Sequence, residues 1–216
     1  MNRLFKASAF LLLSLTAVGC QNKEPTLEEH IYDVYSKGRF VGSYKAHYKD
    51  NPRLSYTTYY SIRLEEGSTP ENMTFAVSAS YSRRQPSEDE VKHLYKYEAK
   101  VSFLYHYGET ITQNGKHSED FESGKGLYAD YETHYKSTFA ADVGTDGSLE
   151  NINITSFEKS DPELTDEYVS DKCKEEIRNL FAEFRYSGYV KWCEKNSVAN
   201  IFDPIGNAAN SSKSGK

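Results

Sequence analysis

The stretch Tyr95-Lys96-Tyr97-Glu98-Ala99-Lys100-Val101-Ser102-Phe103-Leu104-Tyr105-His106-Tyr107 decides the fold. Tyr95, Tyr97, Ala99, Val101, Phe103, Tyr105 and Tyr107 fall on one side of a period-two pattern, and Lys96, Glu98, Lys100 and Ser102 on the other. Alternation this regular marks a strand with one buried and one wet face, the signature of an antiparallel sheet. The same period extends outward in both directions. Phe40 to Tyr48 alternates, then Asp50-Asn51-Pro52 makes a turn, and Leu54, Tyr56, Thr58, Tyr60, Ile62 and Leu64 share a face. Met73, Phe75, Val77, Ala79 and Tyr81 follow, before a polar loop over 84–90. On the other side, 108–126 is glycine-rich and polar, with room for one or two short strands around Ile111 and Phe121. Leu127, Ala129, Tyr131, Thr133, Tyr135, Phe139, Ala141 and Val143 form another long face, and an Asp146-Gly147 turn leads to a returning strand over 149–157. Strands this long predict a strongly curved sheet or a barrel-like meander.

Helical spacing flanks the strands. Leu27, Ile31, Val34 and Tyr35 predict a short helix, with Thr26 and Glu29 as a capping box. Asp161-Pro162 is expected to open a C-terminal helix over about 162–184, whose stripe is Val169, Cys173, Ile177, Leu180, Phe181 and Phe184. The segment 184–192 either continues that helix or turns back as a strand. The fold class expected is therefore mainly β (α+β), with the helix packed on the sheet. A single β-rich domain spans 27–205, and 206–216, built of Asn, Ser, Gly and Lys without apolar pattern, is expected to be a disordered tail.

The first twenty residues carry an address. Arg3 and Lys6 precede an uncharged apolar stretch, Ala7 to Gly19, too short to span a bilayer as a helix. It ends in Leu15-Thr16-Ala17-Val18-Gly19-Cys20. Small residues before a cysteine resemble the lipobox of bacterial lipoproteins. That resemblance implies a signal peptide over 1–19, cleavage before Cys20, and acylation (diacylglycerol and a fatty acid such as palmitate) at Cys20. It leaves 20–26 as a tether. In that family Asp after the cysteine tends to retain a protein at the inner membrane, so Gln21 points to the outer membrane, facing the periplasm. Ala17 stands where the family prefers Leu. Removing 1–19 takes away two basic residues and no acid, moving the net charge from -6 to -8.

Cys173 and Cys193 then remain, and an even pair in an exported chain predicts one disulfide. Unbroken helix would hold the sulfurs about 30 Å apart, whereas a bridge needs Cα atoms about 5.5 Å apart. The bond therefore demands a reversal between them, expected at Arg185 to Gly188.

Chemistry is thinly represented. The acidic balance argues against nucleic acid. Neither nucleotide-binding glycine motif, nor GxSxG, HExxH or CxxC occurs. Asp142 to Asn153 begins like a calcium loop, but Gly144 and Asn153 replace ligands, so a hairpin turn is expected. No cofactor is implied. Asp130, Glu132 and His134, at i, i+2 and i+4 of a strand, could hold a metal or act as an acid–base set. His47 and His106 lie on polar faces, while His30, His93 and His117 are expected to be solvated. Tyrosine is abundant, with 18 residues. Tyr95, Tyr97, Tyr105, Tyr107, Tyr131 and Tyr135 are candidates for a ligand or partner face; the alternatives are plain core and a wet cavity. Two functional expectations follow: a non-enzymatic, lipid-anchored module for an envelope protein partner or amphipathic ligand, such as an accessory, immunity or inhibitor protein, and an envelope hydrolase or metal-binding protein built on Asp130, Glu132 and His134.

Overall fold

The computed structural model describes residues 24–47, 55–86, 94–109, 113–123, 132–145 and 147–203. Seven strands run in sequence order: β1 (Phe40–His47), β2 (Ser55–Leu64), β3 (Thr74–Pro86), β4 (Leu94–His106), β5 (Gln113–Ser123), β6 (Glu132–Val143) and β7 (Leu149–Lys159). They form one antiparallel meander in which each strand pairs with its chain neighbours, and β1 and β7 are its edges. The sheet curls without closing. Helices α1 (Leu27–Lys37), α2 (Asp166–Ala182) and α3 (Tyr189–Lys195) lie on one face, with a 3-10 turn, Phe184–Ser187, between the last two.

Local chemistry explains the helices. The Thr26 hydroxyl accepts from the Glu29 amide at 3.2 Å, and the Glu29 carboxylate accepts from the Thr26 amide at 2.7 Å. Two orphan donors at the α1 start are thus satisfied. The C-terminal helix begins later than expected. Thr165, not Asp161-Pro162, caps α2, accepting from the Tyr168 amide at 3.2 Å, while Asp161 accepts from the Glu163 amide in the preceding turn. Gly188, at φ 93°, ends the 3-10 turn in the left-handed region and starts α3, so 184–192 becomes helix instead of a returning strand.

The core sits between sheet and helices. Ile62, Phe75, Val77, Ala79, Val101, Phe103 and Phe139 meet Ile31, Ile177, Phe181, Phe184 and Tyr189. The strand faces match the alternation of β2, β3 and β4: Tyr60 and Ile62, Phe75 to Ala79, and Ala99 to Tyr105 are buried at every second position. β7 departs from this rule. Its buried positions step from Leu149 to Ile152, because the register against β6 slips between Ala140 and Asp142 and Asn151 takes φ 49°. A second slip beside Thr138 returns the phase, so Phe157 packs beside Tyr135 and Val169. Each bulge turns the edge strand and blunts it. β5 is a full strand of 11 residues, longer than the short strands expected in this region.

The expected disulfide is not formed. The chain bends at the segment foreseen, but Cys173 and Cys193 are both buried thiols in separate clusters. Cys173 packs with Tyr135 and Val169, whereas Cys193 belongs to the main core. The bend therefore directs the two sulfurs to different neighbours.

Two glycines permit close approach. A Cβ at Gly115 would lie 2.5 Å from the Phe139 ring, which covers the β5 backbone. At Gly42 it would meet the Ser187 carbonyl oxygen and the Phe40 ring, so β1 can pass directly beneath the 3-10 turn. Gly42→Ala should therefore lower stability by about 1–3 kcal/mol through overpacking. Urea unfolding checks this against Gly38→Ala, where nothing lies within 4 Å of the new Cβ, and which should shift stability by less than about 0.5 kcal/mol.

Candidate functional site

The sheet has two chemically different faces. On the helix side, Tyr105 and Tyr135 are 2% and 6% exposed. These two tyrosines are core residues and offer no surface to a partner. Tyr107 is half-buried beside the core. Tyr131 lies outside the described residues, as do the side chains of Tyr95 and Tyr97. Burial pushes the Tyr105 hydroxyl up to about 12, with Tyr107 adding to the effect. Deeper in, the Tyr35 and Tyr189 hydroxyls hydrogen-bond at 2.9 Å, and Tyr189 also accepts from the Ile201 amide at 3.2 Å. Both hydroxyls are driven upward, chiefly by burial. This pair ties α1 to α3 and the C-terminal segment. His30, expected to be solvated, strengthens the same seam: its Nε2 lies 2.9 Å from the Ser197 carbonyl oxygen.

Among the described residues, no helix lies on the opposite face. Strand register assembles it into rows running across the sheet, a property invisible in any single strand. One row reads Val41, Ser61, Ser78, Ser102, Lys116, Thr138 and Ser156, each the pairing partner of the next. The adjacent row reads Ser43, Tyr59, Ser80, Lys100, Ser118, Lys136 and Glu158. Neighbouring strands lie about 4.8 Å apart, so the first row is a near-continuous line of hydroxyls. Lys100 and Lys136 flank Ser118, and Lys116 sits diagonally between them. Diagonal neighbours are about 7 Å apart, close enough for three flexible ammonium groups to converge. Among the described residues no ion pair engages any of the three lysines.

Two adjoining depressions mark this face. One, of about 550 Å³, is lined by Lys100, Ser102, Lys116, Lys136, Thr138, Ser156 and Glu158 among others. The second, of about 450 Å³, shares Lys100, Ser102 and Lys116 and extends over Ser61, Arg63, Ser78 and Leu104. Arg63 is paired with Glu65 at 2.7 Å. The Thr138 hydroxyl lies 2.6 Å from that of Ser156 and 2.8 Å from that of Thr155. The sequence pattern put Lys100 and Ser102 on a wet face and left Lys116 in a polar, glycine-rich stretch; the convergence of these residues depends on register.

Other expectations resolve individually. Asp130 lies outside the described residues, and so do the side chains of Glu132 and His134. The β6 backbone nevertheless sets His134 opposite Asp120 and Glu132 opposite Glu122. Among the described residues, no group of three His, Cys, Asp or Glu side chains is placed to hold a metal. His106 Nδ1 lies 2.9 Å from the Thr74 hydroxyl. Asp142 accepts from the Asn151 amide group at 2.6 Å, and Gly144 and Ser148 close a hairpin turn there. Cys20 and residues 206–216 lie outside the described residues.

Burial pushes the Cys193 thiol from 9.0 up to about 11. The protonated form is thus favoured in the folded state, and its contribution to stability is complete below about pH 9 and lost as pH rises through about 11. Urea midpoints should be flat from about pH 7 to 9 and fall beyond, by as much as 1.4 kcal/mol per pH unit for each such group. Alkylation at about pH 8 without reductant should leave both Cys173 and Cys193 unmodified in the folded protein and label both in urea.

Comparison with protein-family models, curated proteins and solved structures finds no match, so the polar face itself carries the functional reading.

Proposed function

We propose that this chain is a lipid-anchored protein of the bacterial envelope that acts as a non-enzymatic binding module, and that the uncovered polar face of its sheet is where a partner protein or amphipathic ligand is met. The observation that carries this reading is the one-sided helix layer. Core packing accounts for the buried face, whereas nothing in the fold requires three lysines, engaged by no ion pair among the described residues, to gather among aligned hydroxyls on the other. The anchor rests on the lipobox-like stretch ending at Cys20, and the outer-membrane placement, facing the periplasm, on Gln21. Several acyl chains on one cysteine would hold the domain at the membrane stably, each buried CH₂ contributing about 0.8 kcal/mol. Among the described residues, no helix is long and apolar enough to cross a membrane.

Cys20→Ser should abolish processing and move the protein out of the membrane fraction, as read by fractionation and intact mass. A photo-crosslinking residue placed at Ser78 or Ser102 in the full chain should capture envelope partners that one placed at Glu175 on α2 does not. Capture only from the helix side would overturn the choice of face.

A second reading draws on the β5–β6 register. If Asp130, Glu132 and His134 form a metal or hydrolytic site, Asp120 and Glu122 are the carboxylates positioned by strand pairing to complete it. Metal analysis of the purified protein separates the two readings. Stoichiometric metal that is lost in His134→Ala, with the fold retained, would favour this second reading; equal metal content in both proteins would leave the first.

A further inference from the structure

We infer that the paired depressions on the polar face bind a phosphorylated saccharide, with the phosphate held by Lys100, Lys116 and Lys136 and the sugar hydroxyls by the Ser61–Ser78–Ser102 row. This rests on the binding-module reading and names the chemistry of its ligand. The first depression, at about 550 Å³, has the size of a small-molecule site. Three ammonium groups against the single carboxylate of Glu158 leave it two charges positive. A phosphomonoester carries about -1.5 to -2 at neutral pH and offers three acceptor oxygens, one for each lysine. The register fixes the triangle: Lys100 and Lys136 are both opposite Ser118, and Lys116 is opposite Ser102 and Thr138. A tetrahedral oxyanion above Lys116 lies within reach of all three flexible side chains.

The walls choose the rest of the ligand. In the second depression the guanidinium of Arg63 is already neutralised by Glu65, so no further cation calls for a second anionic group. What remains there are the hydroxyls of Ser61, Ser78 and Ser102, which can donate and accept, and the apolar groups of Ala76 and Leu104 beside them. Such a lining suits an uncharged sugar, whose hydroxyls meet the serines and whose C–H faces meet the apolar groups. Glu98, two residues before Lys100 on the same face of β4, adds a carboxylate beside the basic patch, which fits one phosphate and not a long polyanion.

The test is titration of the full chain, in detergent, with trehalose 6-phosphate, followed by amide chemical shifts and calorimetry. Trehalose, inorganic phosphate, an Asp-Gly repeat peptide and vesicles containing phosphatidylinositol 4-phosphate serve as separate arms. Trehalose 6-phosphate should bind saturably, shift Ser78, Ser102 and Thr138, and bind at least about tenfold more tightly than trehalose or phosphate alone. Affinity should fall with added salt. The triple variant Lys100→Gln/Lys116→Gln/Lys136→Gln should lose at least about tenfold, while Lys45→Gln, on the same face of β1, should not. All of these positions are exposed, so circular dichroism should show the fold unchanged. No saturable shift with the sugar phosphate, or equal affinity in the triple variant, overturns the inference. Binding of the acidic peptide or of the vesicles alone, at the same residues, also overturns it but leaves the face as a binding surface. Failure of every probe together with crosslinking confined to the helix side overturns the binding-face reading itself.

Discussion

The structure depends on one aromatic contact set, the rings gathered around Phe184. This fully buried residue lies 5.1 Å from Tyr60 in β2, 5.8 Å from Phe181 in α2, 5.5 Å from Tyr189 in α3 and 5.5 Å from Phe202 near the C-terminal end of the described chain. Phe40 in β1 completes the group at 6.3 Å. Edge-to-face rings add about 0.5–1.5 kcal/mol per pair beyond the area they bury. Sheet, helix, turn and tail therefore meet at a single side chain in the 3-10 turn. Gly42 is the structural condition for it, since any side chain there would push the turn away from β1. The cluster also decides which face of the sheet is covered, and so leaves the other to solvent.

That one-sidedness links packing to function. A long strand alternates its side chains, so a helix layer on one face obliges the other to be polar. Hydroxyls and lysines on the second face are expected for solubility alone. What solubility does not demand is alignment. The register sets Ser61, Ser78, Ser102, Thr138 and Ser156 in one row because each strand from β2 to β7 pairs with the next at that level. The slips in register begin immediately beyond this row, between Ser102 and Leu104 where β4 meets β5 and between Thr138 and Phe139 where β6 meets β7. The regular patch and the depressions coincide.

Much of the fold was legible because period two is a direct physical signal. β2 and β4 read correctly from their alternating residues, β3 did so except that it runs on to Pro86 through residues expected to begin a polar loop, and Thr26 with Glu29 marked the α1 start through cap chemistry. β5 was less legible because Gly115 occupies an inward position, where burial comes from the Phe139 ring of the neighbouring strand. The phase of β7 was hidden by bulges, since an inserted residue moves every later side chain to the opposite face. Pro162 drew the helix start too early because proline suits a turn as well as a first helical position. The disulfide expectation correctly located a bend and then assumed its cause: Gly188 and the Phe184 packing suffice. For the site, one-dimensional pattern gave only polarity, and strand pairing supplied proximity.

The distribution of charge gives the polar face its meaning. Carboxylates outnumber cations in this chain, 32 to 26, so acidic partners for surface lysines are plentiful. On the helices they are used: Lys37 pairs with Asp33, Lys172 with Glu176, and Lys174 with Asp171. Lys159, at the end of β7, reaches Asp166 at 2.8 Å. Lys100 and Lys116 instead have hydroxyl-bearing residues as cross-strand neighbours, Lys136 has Ser118 on one side and Glu158 on the other, and Lys116 lies on the diagonal from both other lysines. Like charges at such spacing weaken a sheet by a few tenths of a kcal/mol each. Exchanging Ser102 or Thr138 for Glu would relieve that repulsion and would also remove the positive potential. A sheet shaped by stability alone would gain from such a carboxylate. One shaped to receive an anion must keep the site open, with the small strain of mutual repulsion relieved when the ligand arrives.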